Sequence, residues 1–154
     1  MSVEAPKLVS FCPEGFAAFL NVFHRTYGSA GDAMVFDMIV KYGVDLIRTY
    51  MQNLPEDVET RIAGLRILGE RFGQQGWGSF TFEEMDLDGG TISVLLENQP
   101  FEDCNGPSVA PPCIFIRGTI VGLISAVLEK ELRVRTVDCS IKIQNVCRYV
   151  FDVS

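Results

Sequence analysis

An apolar segment over residues 112–131 sets the strongest limit on the fold, because the helix that it predicts is hydrophobic on nearly every side. A helix on a protein surface keeps one polar face, whereas a helix that is apolar all round belongs in the middle of a domain. The least polar part, residues 118–128, is eleven residues long and too short to span a bilayer. We therefore expect a buried central helix around which the rest of the chain packs.

Two glycines inside this segment predict how it is packed. Gly118 and Gly122 lie about one helical turn apart. Each costs about 1 kcal/mol relative to alanine in a helix interior. Such a cost favours a packing reason, and we expect another backbone to approach the helix closely at these positions.

The first half of the chain predicts three helices, in which apolar residues recur at spacings of three and four. The first helix opens at Pro13 and ends near Gly28, and the second covers residues 31–51. The third begins at Pro55 with Glu56 and Asp57 in its first turn, where the helix dipole favours acidic residues.

The periodicity changes after Gly76-Trp77-Gly78, and the remaining elements are mostly strands. Residues 79–86 and 91–97 predict a hairpin, because the Asp and Gly residues that separate them accept positive φ. A second pair of strands follows the apolar helix, and the elements together predict the α+β class. We expect one domain over residues 1–154, with an antiparallel sheet of about four strands packed against about four helices.

Composition excludes several classes of function. The 154-residue chain has a net charge of −7 and contains no basic cluster, which argues against nucleic acid and anionic membranes as direct partners. No nucleotide-binding pattern or catalytic set is recognisable, and His24 is the single histidine, so a non-catalytic protein is favoured. The N-terminus lacks the pattern of a signal peptide, so the five cysteines indicate a reducing, cytoplasmic compartment.

Three cysteines late in the chain, Cys113, Cys139 and Cys147, are the candidate metal ligands. Zinc prefers thiolates in a tetrahedral arrangement, and a hairpin meeting a helix N-terminus would bring these three together. Cys104, Asp138 or water would complete the site. Burial as ordinary small core residues is the alternative, since free cysteine is among the most buried residue types.

The cysteines also carry a family resemblance. The run Pro111-Pro112-Cys113-Ile114-Phe115-Ile116-Arg117-Gly118, followed by Cys139 and Cys147 with seven residues between them, resembles the 4-vinyl reductase domain family. The Gly-Trp-Gly sequence before the first hairpin is similar to that family as well. The resemblance implies a fold related to TRAPP vesicle-tethering subunits, and it implies dimerisation.

The resemblance also implies a zinc site, made by three cysteines and a glutamate beside a buried pocket for aromatic ligands. Residue by residue, the cysteines correspond to Cys113, Cys139 and Cys147, whereas Thr136 stands at the position of the glutamate. The family's phenol-binding His and Trp have no counterparts at the corresponding positions of this chain. The sequence therefore does not predict phenol itself as the ligand.

The sequence favours a sensory or binding domain for a small hydrophobic or aromatic molecule, with zinc as the possible metal. Its pocket candidates are Trp77, Phe80, Phe115 and Arg117. One alternative is a dimeric interaction module like the TRAPP-related subunits. Another is a carrier or reductase accessory protein of tetrapyrrole metabolism.

Overall fold

The structure is a computed structural model that describes residues 12–50, 56–100, 113–139 and 146–154. Among these residues it contains three helices and four strands. In chain order they are α1 Pro13–Tyr50, α2 Val58–Gln74, β1 Ser79–Asp86, β2 Thr91–Glu97, α3 Cys113–Leu128, β3 Leu132–Cys139 and β4 Val146–Val153.

The four described strands form one antiparallel sheet with the order β1-β2-β4-β3, which confirms the α+β prediction. The first hairpin turns as the sequence predicts. The Asp86 carboxylate accepts a 2.7 Å hydrogen bond from the Gly89 backbone N–H, and Gly90 takes a positive φ of 70°. The core of the sheet lies on the central strands β2 and β4, where Tyr149 and Phe151 are fully buried.

Helix α1 joins the first two predicted helices across a sharp bend at Gly28. The φ of Gly28 is 60° and its ψ is −146°, a conformation outside the helical region that glycine adopts at little cost. His24 and Asp32 lie on opposite sides of the bend, and their side chains are joined over 2.7 Å from Nδ1 to the carboxylate. The predicted boundary between two helices is therefore a bend between two segments of α1.

Helix α2 begins later than predicted. Pro55 lies outside the described residues, and Asp57 is the N-cap of the helix instead of a residue of its first turn. The Asp57 carboxylate accepts a 2.7 Å hydrogen bond from the Thr60 backbone N–H, and this bond lowers the pKa of Asp57. Asp at an N-cap satisfies one of the free N–H groups of the first turn, which explains why the helix starts here.

Helix α3 is central, as its apolar sequence predicts. It packs against α1 and also shares the core with the inner face of the sheet, through side chains that are almost fully buried: Ile120, Leu123, Ile124 and Val127. Gly122 of α3 meets Gly43 of α1 backbone to backbone, so that a Cβ on Gly122 would lie 2.9 Å from the Gly43 Cα. The expected close approach is confirmed, and Gly43 provides the other half of the contact.

Within the described part of the chain, none of the helices combines the length and the apolar character that a bilayer crossing needs.

Candidate functional site

A cavity of about 390 Å³ opens between the C-terminal halves of α1 and α2 and the first turn of α3. Ligand pockets in proteins usually measure about 300–1,000 Å³, so this cavity suits a small molecule. Three helices and the Trp77 turn contribute its walls, which are lined by Tyr42, Leu46, Leu68, Arg71, Phe72, Gln74, Gln75, Trp77 and Phe115.

The end of α2 positions two of these aromatic side chains. The Trp77 N–H bonds to the Phe72 carbonyl and the Gly76 N–H bonds to the Gly73 carbonyl, each over 3.0 Å. With Gly76 at a φ of 82°, this is a Schellman motif, in which the residue after the left-handed glycine contacts the last turn of the helix. Trp77 is therefore held against Phe72 by the way the helix ends.

Gly78 completes the turn on the other side of Trp77. Its φ is 90°, and a Cβ there would lie 2.9 Å from the Glu97 carbonyl oxygen. Both glycines of the Gly-Trp-Gly sequence are thus required by the backbone, because each adopts a positive φ. The two positive φ angles turn the chain from α2 into β1 and leave the indole at the cavity wall.

Phe115 lies at the centre of the aromatic wall. Its ring centroid is 5.3 Å from that of Trp77, 4.8 Å from that of Phe16 and 6.3 Å from that of Tyr42. These separations are typical of favourable aromatic pairs. The wall is consequently fixed by rings from α1, from α3 and from the turn after α2.

A second, much smaller void lies behind this wall. It has a volume of about 10 Å³ and is lined by Phe72, Trp77, Phe80, Phe115, Ile116, Thr119 and Ile120. A void of this size has room for about one water at most. Phe72, Trp77 and Phe115 line both spaces and so form the partition between them.

The exposed residues that line the large cavity are mainly polar. They are Arg71, Gln74, Gln75 and Tyr42, whereas Leu68 is buried and Leu46, Phe72, Trp77 and Phe115 are half-buried. Arg71 is the one charged side chain among the lining residues that the structure describes. This arrangement resembles ligand sites in which an apolar wall provides most of the contact and a few polar groups fix the orientation.

The structure brings together three of the four residues that the sequence singled out as pocket candidates. Trp77 and Phe115 line the large cavity, and Phe80 lines the void behind it. Arg117 lines neither space, because it lies two residues from Phe115 and faces another side of α3. Its guanidinium lies 5.1 Å from the centre of the Phe36 ring.

Sequence reasoning missed the contribution of α2 to the site. Leu68, Arg71 and Phe72 stand at positions i, i+3 and i+4, which places them on one face of the helix, and Gln75 is the C-cap that follows. This spacing is visible in the sequence, but the face of α2 that it defines contains both polar and apolar residues. A mixed face does not distinguish a cavity wall from an ordinary helix boundary before the neighbouring helices are known.

The cysteine predictions fall largely outside what the structure describes. Cys104 lies outside the described residues, and only the backbone is described for Cys113 and Cys139. Cys147 is almost fully buried and is joined in a disulfide. The strand register places Cys139 directly opposite Cys147. A disulfide sulfur lacks the thiolate that zinc requires, so Cys147 fits the predicted metal site only after reduction.

Asp138, one of the candidate fourth ligands, lies opposite the exposed Arg148 in the same pair of strands. Successive residues of a strand point to opposite faces, which sets Asp138 apart from the buried Cys147 and disfavours one ion shared by both. Among the described side chains, no group of three histidine, cysteine or carboxylate residues is arranged to hold a metal ion.

Comparison with known sequences gave no match, either to models of protein families or to curated proteins. Comparison with solved structures gave several matches. The phenol-responsive sensory domain of the transcription activator PoxR, solved with phenol, aligns with a TM-score of 0.69 and 18% identity. The alignment covers 95% of this chain and 76% of that domain.

Two further structures align over nearly the whole chain. A vinyl-4-reductase family protein from Methanocaldococcus jannaschii has a TM-score of 0.61 and 17% identity, and the alignment covers 96% of this chain and 85% of that one. Subunit 3 of a trafficking protein particle complex from Naegleria fowleri, covalently bound to palmitic acid, has a TM-score of 0.59 and 14% identity, with coverages of 92% and 95%. The chain therefore has the fold that these three proteins share, as its sequence motifs predicted.

Proposed function

We propose that this protein is a non-catalytic binding or sensory domain that holds a small hydrophobic or aromatic molecule in the large cavity. The observation that carries the proposal is the wall formed by Phe72, Trp77 and Phe115. These rings border about 390 Å³ of space that opens to solvent, and the exposed side chains that line it are mainly polar. Burial of a ligand's apolar surface against them contributes about 25 cal/mol per Å².

The structural neighbours support this proposal at the level of the fold. One of them is a sensory domain with phenol, and another carries palmitic acid. The same architecture thus accommodates both an aromatic and an aliphatic ligand. We extend the capacity for apolar ligands to this chain, whose own cavity walls are mainly aromatic and aliphatic.

A cavity-filling variant tests the proposal. Leu46→Phe adds a larger side chain to the wall, and a ligand then meets an overpacking cost of about 1–3 kcal/mol. Isothermal titration calorimetry with phenylbutanamide, a neutral aromatic amide, is expected to show saturable binding to the wild type and binding about tenfold weaker or more to the variant. Ligand at saturating concentration is also expected to raise the Tm of the wild type.

The matched control is Ile67→Phe, which enlarges an exposed side chain on α2 that does not line the cavity. It is expected to bind phenylbutanamide as tightly as the wild type. Equal binding by Leu46→Phe, or a wild type that binds neither phenylbutanamide nor the carboxylate of the same shape, phenylbutyrate, contradicts the proposal.

A dimeric interaction module is the second candidate, and α1 provides the observation that favours it. Most of the exposed large hydrophobic side chains among the described residues lie on this helix: Phe19, Val22, Tyr27, Met34, Met38 and Tyr42. Exposed apolar patches of this kind mark interaction surfaces. We propose that this surface pairs with a second copy of the chain.

The tetrapyrrole alternative has less support from the described residues. His24 is the single histidine of the chain, and its imidazole is bound to Asp32 at the bend of α1. It is not among the residues that line the large cavity. A tetrapyrrole metal in that cavity would therefore have no imidazole ligand from this chain.

We retain the zinc site as a proposal for the reduced chain, with Cys113, Cys139 and Cys147 as ligands. Its basis is the sequence pattern and the family resemblance. Metal analysis of protein purified under reducing conditions tests it directly. About one equivalent of zinc supports the site, and less than about a tenth of an equivalent contradicts it.

A further inference from the structure

We propose that the preferred ligand of the cavity is a small anionic amphiphile, whose apolar body packs against Trp77 and Phe115 and whose anionic headgroup binds Arg71. This inference rests on the proposed function, because it specifies a class of ligand for the same cavity. It adds a charge requirement that the fold alone does not imply.

The position of Arg71 suits this role. It lies one turn after Leu68 on the face of α2 that borders the cavity, next to Phe72. Its side chain is exposed, whereas that of Phe72 is half-buried, and both line the cavity. A ligand that inserts its apolar end first would leave its polar end beside the guanidinium.

The charge of Arg71 is also available. Among the described residues it forms no ion pair, and no acidic side chain lines the cavity. Other arginines are engaged: Arg61 bonds to Glu129 over 2.8 Å, and Arg148 bonds to Glu83 over 2.7 Å. Within the part of the chain that the structure describes, an anion entering the cavity therefore has no carboxylate to displace from Arg71.

The net charge of −7 does not remove this preference. At physiological ionic strength, interactions between exposed charges are largely screened beyond about 8 Å. The Arg71 guanidinium is therefore the dominant charge for a headgroup that contacts it. Its planar fork matches a carboxylate through two parallel hydrogen bonds, which are stronger than bonds between neutral groups. Gln74 and Gln75 also line the cavity, and their side-chain amides offer further donors.

A purely structural role for Arg71 makes a different prediction. A cation near the end of a helix interacts favourably with the helix dipole. If Arg71 served only that purpose, its replacement would lower the Tm and leave the choice between charged and neutral ligands unchanged. Ligand selectivity is thus the readout that separates the two roles.

The experiment compares phenylbutyrate with phenylbutanamide, which has nearly the same shape and no charge. Calorimetry with the wild type is expected to give affinity for the carboxylate at least about tenfold higher than for the amide. Arg71→Gln is expected to abolish that difference while it still binds the amide. Arg66→Gln, a control at an exposed arginine of α2 that does not line the cavity, is expected to retain the difference. Raising the salt concentration is expected to reduce the difference in affinity between phenylbutyrate and phenylbutanamide in the wild type.

Equal binding of the two compounds by the wild type overturns the anionic preference and leaves the proposed function intact. If Arg71→Gln still prefers phenylbutyrate to phenylbutanamide, Arg71 is not the residue that recognises the anionic headgroup. Failure of the wild type to bind either compound contradicts the proposed function itself and this inference with it.

Discussion

At the scale of single residues, the local sequence predicts the position of some side chains of the site but not of others. The turn at Trp77 was predictable, because the glycines on either side permit it. The direction in which Arg117 faces was not, since its position in an apolar helix showed only that its charge needs water or a partner. Its contact is the Phe36 ring, which belongs to a helix distant in sequence.

The outer face of the sheet provides a residue-scale prediction about pH. Arg148 donates two hydrogen bonds to the Glu83 carboxylate, of 2.7 and 2.9 Å. These bonds, with a smaller contribution from Ser93, hold the pKa of Glu83 below its ordinary value of 4.5. Above about pH 4.5, the ionised Glu83 carboxylate therefore stabilises the folded state. This stabilisation is lost as the pH falls through the lowered pKa of Glu83.

Glu83→Gln is accordingly expected to lower the free energy of unfolding at neutral pH, and this difference from the wild type should shrink below about pH 4.5. Urea denaturation at a series of pH values measures it. In an Arg148→Met background the same substitution should have a much smaller effect at every pH, because the partner is absent. If the stability loss caused by Glu83→Gln is independent of pH, or persists in the Arg148→Met background, the Glu83–Arg148 ion pair is not the source of that loss.

At the scale of helices and strands, the ends of the elements decide the geometry of the cavity. The sequence predicts the first hairpin, a break in the helical pattern near Gly28 and the buried α3 from periodicity and glycine chemistry. It places the start of α2 too early, because Pro55 and Asp57 are both signals of a helix start. Which helix packs on Gly122 was not predictable, since a close approach indicates a partner without naming it.

The contact between Gly43 and Gly122 gives the prediction for this scale. A Cβ at residue 122 would lie 2.9 Å from the Gly43 Cα and closer still to the Val40 carbonyl oxygen, so Gly122→Ala must push α1 and α3 apart. We expect a loss of about 1–3 kcal/mol in the free energy of unfolding. Urea denaturation monitored by circular dichroism measures this loss.

Gly15→Ala is the matched control in the first turn of α1. A Cβ there has only ordinary contacts, with the nearest atom at 3.8 Å. Alanine's higher helix propensity predicts an unchanged or slightly higher stability, by up to about 1 kcal/mol. Equal losses in the two variants would contradict the account of helix packing.

At the scale of the whole molecule, α3 organises both sides of the fold. It buries one side against α1 and contributes to the core with the inner face of the sheet, while Phe115 in its first turn closes the cavity. The fold class was readable from the order of the elements. The cavity was not, because its lining comes from α1, α2, α3 and a turn that meet only in three dimensions.

The exposed apolar surface of α1 provides the whole-molecule prediction. Phe19, Phe23 and Tyr27 form a continuous aromatic row, with ring centroids 5.7 and 5.0 Å apart, and Met38 is a further exposed apolar side chain of α1, in the segment after the bend. We expect the wild type to dimerise through this surface and Met38→Glu to shift the equilibrium towards monomer, because the new charge would be desolvated in the interface.

Light scattering during size-exclusion chromatography, over a range of protein concentrations, measures this equilibrium. Ile67→Glu introduces the same charge on the exposed side of α2 and should leave the mass unchanged. A wild type that stays monomeric at every concentration, or a Met38→Glu variant that stays dimeric, would contradict an interface on this surface.

The central claim is that a small ligand lies against the aromatic wall, and NMR of the single tryptophan tests it most directly. Because Trp77 is the one tryptophan in the sequence, the spectrum contains one indole N–H signal, and this signal reports from the cavity wall. Titration with phenylbutyrate is expected to shift it saturably and to give nuclear Overhauser contacts between the ligand's phenyl protons and the Trp77 ring. An indole signal that stays unchanged while the ligand saturates the protein would place the ligand elsewhere and contradict the account.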